Sequence, residues 1–372
     1  MQIGRVFEGV LVACALATSA CANGVSSPAP FEGTPPPDES VQSPDLEPQV
    51  VFYPRVGNLA DDEWGATGPG VVLMNDAMGP TSAYLWMHDT VDRSRIAGDV
   101  LVLCSSCGDV YSWTLYQLAP FNSVQTVLVP PQAKASDIQL VANRLQTIEI
   151  AIVSDGDLPT YVAWGTTPLG QAVQQVFDRG GVVAGAGTGA SALGWAVLTT
   201  TLDSATALAD PYAPGVNLTR GPFGIAGMAG TYVELGLESN ARFGVFAAMT
   251  ARSIGDGLAD TKPSAAFGVG LDVNAAVALD RQGNAMLLAD DTAPAEAWIL
   301  QGGPANQITS GQALVWNDAQ VWRFDSSGES LFLGGGCGTA FSYPLAIDGS
   351  AATPYTPANP YDAVGQANPC GD

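Results

Sequence analysis

Residues 182–194 have a pattern that is typical of a site for nucleophilic catalysis. Their sequence, VVAGAGTGASALG, predicts a buried strand, a tight turn of small residues and then a helix. Enzymes use such a turn, the nucleophile elbow, to hold a Ser or Cys between small neighbours at the end of a strand. The central position of the Gly-x-nucleophile-x-Gly pattern is Gly187, which has no side chain. The sequence therefore predicts an elbow without its nucleophile.

Two hydroxyl groups lie close to Gly187 in the sequence. Thr188 follows it directly and is a weak substitute for the nucleophile, whereas Ser191 comes one helical turn later, where we expect a packing role. A Thr hydroxyl attacks only when a base takes its proton. His88 is the only histidine of the chain. It belongs to a predicted helix, and we expect it on the surface of that helix.

Two carboxylates, Asp155 and Asp157, form an acidic turn ahead of another helical segment. They offer a carboxylate mechanism in place of a hydroxyl nucleophile. Acidic residues in such a turn more often accept hydrogen bonds from the first N–H groups of the helix and interact with its dipole. We expect that capping role here.

Several short segments between residues 65 and 285 follow one another in the order of a known set of motifs. They are DVLVL (99–103) followed by DVY (109–111), NSVQT (122–126), DGDL (155–158), GTTPL (165–169), ALADPY (207–212) followed by Arg220, RFG (242–244) and GLDV (270–273). As an ordered set, they resemble the cyanophycinase-like serine peptidases. The resemblance implies a fold related to the class I glutamine amidotransferases and peptide hydrolysis by a Ser, a His and an acidic residue.

The residues that would carry this chemistry differ in the present chain. The resemblance places Gly187 at the Ser nucleophile, Gly236 at the His base and Val273 at the acid. It also places Leu158 where the family has a Gln, and Asn240 where it has the first Arg of a pair. A hydroxyl is a poor nucleophile without an adjacent base. The substitutions together predict that this mechanism has been lost.

Other polar residues of the family pattern are retained. Asp157, Arg220 and Arg242 match it and, with Thr188, are the candidates for ligand binding. The two arginines have two interpretations. They form structural salt bridges, or they face the former substrate cleft and hold a carboxylate of a ligand by paired hydrogen bonds.

Alternating strands and helices must position these residues. Short apolar runs separated by helical patterns predict a mostly parallel sheet covered on both faces, with ligand sites at the carboxyl ends of its strands. We therefore expect a three-layer α/β/α sandwich, flavodoxin-like or class I glutamine amidotransferase-like, over residues 49–345. The predicted strands are 71–74, 99–104, 124–129, 148–153 and 181–184, and the predicted helices are 82–93, 136–146 and 169–179.

The second half of the chain contains more strands than helices. The expected strands form a strand-rich C-terminal extension at 230–233, 276–279, 285–288, 297–300 and 314–322. The last segment, 346–372, is rich in Pro and Ala, and we expect it to be held by a disulfide bond.

The N-terminal residues have the features of an export signal. Arg5 precedes a short apolar run that ends in small residues, and this run is too short to span a bilayer. The sequence TSAC at 18–21 resembles a bacterial lipobox, in which Cys21, at the end of the predicted export signal 1–21, would become the lipidated N-terminus. The alternative is ordinary cleavage at Ala20-Cys21-Ala22 and secretion. Residues 22–48, rich in Pro and acidic residues, are predicted to be a flexible tether.

The remaining cysteines fit an exported protein. Cys104, Cys107, Cys337 and Cys370 are an even number, and we expect two disulfides, 104–107 and 337–370. The CSSC sequence at 104–107 also matches a redox motif, but no thioredoxin-like segment surrounds it. A zinc site is disfavoured because the chain has one histidine and no second Cys-x-x-Cys pair. We expect no metal and no cofactor.

The formal charge of −23 is strongly acidic, with Lys134 and Lys262 as the only lysines. Such a surface repels phosphate backbones, so nucleic-acid binding is excluded. We expect a peptide or protein ligand, with membrane contact only through the lipid anchor. The oligomeric state is left open.

Three functions fit the sequence. The first is an exported pseudopeptidase that binds a ligand or serves as a scaffold. The second is an active serine- or threonine-type peptidase or amidase with a rearranged site, which requires a base near Thr188 or Ser191. The third is a structural surface lipoprotein without a cleft.

Overall fold

The computed structural model describes residues 49–61, 68–91, 98–259, 266–290, 293–363 and 365–370. They belong to one compact unit, Leu46–Asp372. The predicted export signal, Cys21 and the tether lie outside the described residues, as do Lys262 and the end of the helix predicted at 82–93.

The first half alternates strands with helices, and most of the second half is strand. The helices are α1 (Thr81–Val91), α2 (Tyr111–Leu118), α3 (Ala135–Arg144), α4 (Leu158–Trp164), α5 (Pro168–Asp178), α6 (Thr188–Leu193), α7 (Ser204–Ala209) and α8 (Phe243–Gly255). The strands are β1 (Val51–Phe52), β2 (Val56–Gly57), β3 (Gly70–Met74), β4 (Asp99–Cys104), β5 (Ser123–Leu128), β6 (Ile150–Val153), β7 (Val182–Ala186), β8 (Ala196–Leu198), β9 (Leu218–Arg220), β10 (Thr231–Leu235), β11 (Phe267–Leu271), β12 (Ala276–Asp280), β13 (Asn284–Leu288), β14 (Ala297–Gly302), β15 (Val315–Phe324), β16 (Ser330–Phe332), β17 (Cys337–Gly338), β18 (Phe341–Asp348), β19 (Tyr355–Thr356) and β20 (Gln366–Ala367).

The first sheet has the strand order β1-β5-β4-β6-β7-β3-β12-β13-β16-β17. Strand β2 also pairs with β5. Its central strands, β5, β4, β6, β7 and β3, are parallel. Val153 pairs with Gly185, and Met74 pairs with Ala186. The carboxyl ends of β6, β7 and β3 therefore lie side by side at one edge.

The second sheet has the order β19-β18-β15-β14-β11-β10-β8-β9, with β20 paired to β18. Strand β10 runs parallel to both β8 and β11, and the other pairs are antiparallel. Part of the segment expected to be a tail, 346–372, therefore adds two short strands, β19 and β20, to this sheet.

Alternate residues of β3 show how the layers stack. Val72 packs into a cluster with α1 and α2 on one face of the first sheet. Leu73, on the opposite face, belongs to a cluster that contains residues of α3 and α5 together with residues of the second sheet, such as Val269 and Ile299. The other face of the second sheet packs on α8. The second sheet thus stacks on the first, next to α3 and α5.

The predicted α/β fold, with a mostly parallel core and a strand-rich C-terminal region, is confirmed. The extension is more than an appendage, because β12 pairs with β3 in the first sheet and β14 pairs with β11 in the second. Both expected disulfides, Cys104–Cys107 and Cys337–Cys370, are formed. Among the described residues, none of the helices has the length and apolar character needed to cross a membrane.

Candidate functional site

The turn between β7 and α6 has the form of an elbow. Gly187 has a φ of 55° and a ψ of −131°, and its N–H donates a hydrogen bond to Met74 O at 3.0 Å. The strand and helix approach so closely that a Cβ on Gly185 would lie 2.5 Å from the Cα of Ala190. The small residues are therefore required by the turn itself, whether or not it presents a nucleophile.

The side chain of Asp155 occupies the space that a side chain at position 187 would need. Asp155 follows β6, whose end lies beside the end of β7. A Cβ built on Gly187 would lie 2.6 Å from Asp155 Oδ1 and 2.8 Å from its Cγ. The elbow therefore holds a carboxylate at the place where the family pattern has a Ser, and that carboxylate comes from a different loop.

Thr188, the substitute nucleophile, is held by several hydrogen bonds. Its N–H donates to Asp155 Oδ1 at 3.0 Å, and its Oγ1 accepts from the Gly156 N–H at 2.7 Å. Two acceptors compete for its hydroxyl proton, Asp155 Oδ1 at 2.9 Å and Gly156 O at 2.8 Å. A carboxylate thus lies within hydrogen-bond reach of Thr188, but these contacts also tie its Oγ1 to the 155–156 turn.

Gly236 begins a second turn, at the end of β10. It has a φ of 59°, and its N–H donates to Asn75 Oδ1 at 2.8 Å. A Cβ at this position would overlap the side-chain amide of Asn240. Residue 236 therefore repeats the situation at 187, because a neighbouring polar side chain fills the space where the family pattern has a His.

The third position of the family pattern, Val273, follows β11. Its side chain is 46% exposed, whereas the preceding Asp272 is buried. Asp272 Oδ2 accepts hydrogen bonds at 2.9 Å from the N–H groups of Glu238 and Ser239, and its Oδ1 accepts one from Val273 N at 2.8 Å. The buried carboxylate beside Val273 therefore holds the turn that follows Gly236.

Gly187, Gly236 and Val273 converge on one cleft of about 360 Å³, which we call the elbow cleft. It lies at the carboxyl ends of β3, β6, β7, β10 and β11, where open α/β sheets bind ligands. Its lining residues are Asn75, Asp76, Ala77, Asp155, Gly187, Thr188, Leu235, Gly236, Ser239, Asn240 and Val273. Two carboxylates are in this set, and Lys, Arg and His are not.

Asp157 lies away from the elbow cleft. It caps α4, where its Oδ2 accepts from Thr160 N at 3.0 Å and from Thr160 Oγ1 at 2.5 Å. Leu158, at the position of the family's Gln, is the first residue of that helix. The capping role expected for the acidic turn therefore describes Asp157, whereas Asp155 interacts with the elbow.

The two arginine candidates also lie outside the elbow cleft. Arg220 is exposed on β9, with its guanidinium 4.5 Å from the centre of the Trp195 ring. Arg242 forms a 2.7 Å salt bridge with Glu234 and lines a separate cleft of about 760 Å³. Burial raises the pKa of Glu234, and the Arg242 guanidinium acts against that rise. Arg242 thus fits the structural interpretation.

His88 is not at the helix surface, so that expectation was wrong. Its side chain packs against the ring of Phe121, the residue is 8% exposed, and its Nδ1 lies 3.1 Å from Asp89 Oδ1. Phe121 lies between α2 and β5, so His88 is on a side of α1 that packs against this segment. His88 does not line the elbow cleft.

Two tyrosines lie next to the 154–155 segment. Burial raises the pKa of Tyr161 to about 12, while hydrogen bonding with Ser105 and Ser154 acts in the opposite direction. Burial also raises the pKa of Tyr111, and the negative charge of Asp155 adds to the effect. Both phenols therefore stay protonated at neutral pH. In the described ranges, no group of three His, Cys, Asp or Glu side chains is arranged to hold a metal ion.

No protein-family model and no curated protein matches the sequence. The chain is similar to the crystal structure of a peptidase from an acI-B1 actinobacterium, with 18% identity and a TM-score of 0.42, over 67% of this chain and 97% of that one. It is also similar to a protein assigned to peptidase E from Listeria monocytogenes, with 9% identity and a TM-score of 0.37, over 60% of this chain and 100% of that one. Neither similarity is close enough to transfer a function.

Sequence reasoning missed three residues of the elbow cleft and assigned other roles to two more. Asn75, Asp76 and Ser239 line it without having been expected there, whereas Asp155 and Asn240, which were named in the sequence, fill the space beside Gly187 and Gly236. One signal was available for two of these residues. Asn75 comes directly after β3 and Asp155 two residues after β6, and the carboxyl ends of these parallel strands lie at one edge. No sequence signal indicated that they would replace side chains from other loops.

Proposed function

We propose that this protein is a non-hydrolytic member of the cyanophycinase-like peptidases, which binds a peptide or a protein segment in the elbow cleft. One observation carries the proposal. At both Gly187 and Gly236, the space for the family's catalytic side chain is filled by a polar group of another residue, Asp155 or Asn240. These groups can form hydrogen bonds with a ligand, and they occupy the space that a Ser and a His would need.

The chemistry of the lining supports binding over serine-type hydrolysis. A serine peptidase needs a base that accepts the hydroxyl proton and then gives it to the leaving group. Asp76 and Asp155 are the acidic side chains of the lining, and a basic nitrogen is missing from that set. A carboxylate has a solution pKa near 4, so it is a weak base toward a hydroxyl group.

The test combines a covalent probe with substrates. We expect a fluorophosphonate probe to leave the purified protein unlabelled, and we expect α-linked and β-aspartyl dipeptides to remain intact on incubation with it. Labelling at Thr188 or Ser191, with peptide hydrolysis that disappears in the matching Ala variant, would contradict the proposal. Binding is read from amide chemical shifts on addition of a pool of short peptides. Shifts confined to residues outside the elbow cleft would also contradict it.

An alternative function is supported by one distance. Asp155 Oδ1 lies 2.9 Å from Thr188 Oγ1, so a carboxylate is in position to accept the hydroxyl proton. An active amidase of this kind would lose its turnover in both Thr188→Ala and Asp155→Asn, while Ser191→Ala would leave it unchanged. The absence of turnover in the unmodified protein would exclude this alternative.

We also propose that the protein is exported and anchored to a bacterial membrane through Cys21. The support is the signal-like sequence of residues 1–21 and the presence of two disulfides, which persist in oxidising compartments. In a bacterial host, we expect the protein in the membrane fraction with a diacylglyceryl group on Cys21, and a Cys21→Ser variant that is not lipidated. A soluble protein that begins at Asn23 would instead indicate ordinary secretion.

A further inference from the structure

The Cys104–Cys107 disulfide lies directly behind the turn that carries Asp155. Strand β4 ends at Cys104, and the N–H of Ser154 donates to Leu103 O at 2.9 Å, so the ends of β4 and β6 are neighbours. The bridge closes a loop with a sequence separation of 3. So short a loop removes less entropy from the unfolded chain than a long one does. The bridge also fixes the local backbone of the loop.

Ser105, inside this loop, is the contact to the Asp155–Asp157 turn. It is 3% exposed, and its Oγ accepts a hydrogen bond from Asp157 N at 2.7 Å. The Ser105 Oγ also lies so close to Gly156 that a Cβ there would overlap it. The Tyr161 hydroxyl holds the other side by donating to Ser154 O at 2.9 Å.

The same turn is bonded to the elbow on its far side. The Gly156 N–H donates to Thr188 Oγ1, and Asp155 Oδ1 accepts from Thr188 N. A continuous series of covalent and hydrogen bonds therefore joins the disulfide, through Ser105 and residues 155–157, to the first residue of α6. The position of Asp155 over Gly187 depends on this series.

We propose that Cys104–Cys107 is a redox-sensitive support of the elbow cleft, with Ser105 as the positioning residue that transmits its state to Asp155. A small-molecule dithiol donates two electrons and two protons to the Cys104–Cys107 bond. The bond is reduced to two cysteine thiols, and the small molecule is oxidised to its own disulfide. Cys107 is half-buried, and both Ser106 and Gly108 are exposed, so a small reductant reaches the loop. Reduction frees Ser105 and releases the turn.

This inference rests on the proposed location of the site, and it holds whether the cleft binds or hydrolyses a ligand. It is tested without a ligand, from the amide resonances and hydrogen exchange of Gly156, Asp157 and Thr188. Ser105→Ala should speed exchange of the Asp157 amide by roughly five- to tenfold, as for one lost hydrogen bond. It should also shift the resonances of Gly156 and Thr188. The matched control is Ser106→Ala, next to it and exposed, which should change neither.

The redox step is tested in a Cys337→Ser/Cys370→Ser background, which retains Cys104–Cys107 as the disulfide under study. Titration with dithiothreitol should move the Gly156 and Thr188 resonances in the same direction as Ser105→Ala does. A Cys104→Ser/Cys107→Ser variant should already show the shifted resonances and should not respond to the reductant. If oxidised and reduced protein give the same resonances, or if Ser105→Ala behaves like Ser106→Ala, the inference is overturned. Failure of peptide binding alone would bear only on the proposed function.

Discussion

Single residues explain why the elbow has its shape with a glycine at its centre. Gly187 has a backbone conformation that a residue with a Cβ adopts only with strain. The Asp155 side chain, from the neighbouring loop, lies where that Cβ would be. Asn240 covers Gly236 in the same way. Both glycines are therefore required by the present packing. The side chains of Asp155 and Asn240 fill the space beside the two glycines.

Replacing Gly187 with Ala should destabilise the protein by about 1–3 kcal/mol, because the new Cβ strains the backbone and meets Asp155. The free energy of unfolding from urea titrations measures the loss. Gly215→Ala is the control for backbone strain alone, since Gly215 also has a positive φ but nothing within 4 Å of its Cβ position. In Gly187→Ala/Asp155→Ala, part of the loss should be recovered. If Gly187→Ala and Gly215→Ala lower the free energy of unfolding equally, the contact with Asp155 has no role in the loss.

Tyr161 should give the protein a pH-dependent stability on the alkaline side. Burial raises its pKa to about 12, above the value near 10 of an unfolded chain. The stabilisation is present in full below pH 10 and is lost as the pH rises from 10 to 12, by at most ~1.4 kcal/mol per pH unit for one group. Urea titrations over this range should show a smaller decrease for Tyr161→Phe. An equal decrease in both proteins would rule out this contribution.

The location of the site was predictable from the sequence to a useful degree, but its contents were not. Gly187, Gly236 and Val273 do line one cleft, as their motif positions implied. Arg220 and Asp157 do not join them, since one stacks on Trp195 and the other caps α4. Such outcomes depend on which loops meet in three dimensions, and single-residue patterns do not contain that information.

At the scale of elements, periodicity located most of the first half. The strand predicted at 99–104 is β4 without change, and the helix predicted at 169–179 is α5 shifted by one residue. Helix α8 was missed because every residue from Phe243 to Ile254 is buried. A helix that is covered on all sides has no polar face, so it lacks the amphipathic period by which helices are recognised.

Helix α1 receives its N-terminal cap from a residue far away in the sequence. Asp290 Oδ2 accepts from Thr81 N at 2.9 Å, and its Oδ1 accepts from Ser82 N at 3.0 Å. Burial acts to raise the pKa of Asp290, but these hydrogen bonds outweigh it and hold the pKa below its usual value. The cap ties the end of β13 to α1, a contact that no local sequence pattern predicts.

Loss of this cap in Asp290→Ala should cost about 1 kcal/mol of stability at neutral pH. Because the folded-state pKa is lowered, the stabilisation is present above the unfolded value near 4 and is lost as the pH falls through the folded one. Urea titrations at pH 7 and pH 3 should therefore show a smaller difference between variant and parent at pH 3. Asp318→Asn, an exposed aspartate of β15, is the control and should have little effect at either pH.

At the scale of the whole molecule, the predicted α/β fold is present, and its strands form two stacked sheets. Strands β8, β10 and β11 are parallel, like the core of the first sheet, yet they belong to the second. Short apolar runs give the number and type of strands but not their partners. The sequence therefore predicted the fold class, and the pairing of distant strands decided the number of sheets.

The disulfide Cys337–Cys370 should contribute more to global stability than Cys104–Cys107. Its cysteines are 33 residues apart rather than 3, and loss of the longer loop closure should cost about 4 kcal/mol against ~2 kcal/mol for the short one. Thermal unfolding of the two double Cys→Ser variants provides the comparison. A larger fall in Tm for Cys104→Ser/Cys107→Ser would contradict this ranking.

The side chains of Asp155 and Asn240 also limit the order in which a Ser and a His can be introduced into the elbow cleft. A Ser introduced first at 187 would place its Cβ 2.6 Å from Asp155 Oδ1, and a His introduced first at 236 would meet the Asn240 amide. Each of these first steps lowers stability before it offers any catalytic gain. If Asp155 and Asn240 are first replaced by residues with smaller side chains, this loss of stability is avoided. The order of these substitutions, as well as their number, therefore determines how much stability is lost on the way to a Ser–His pair.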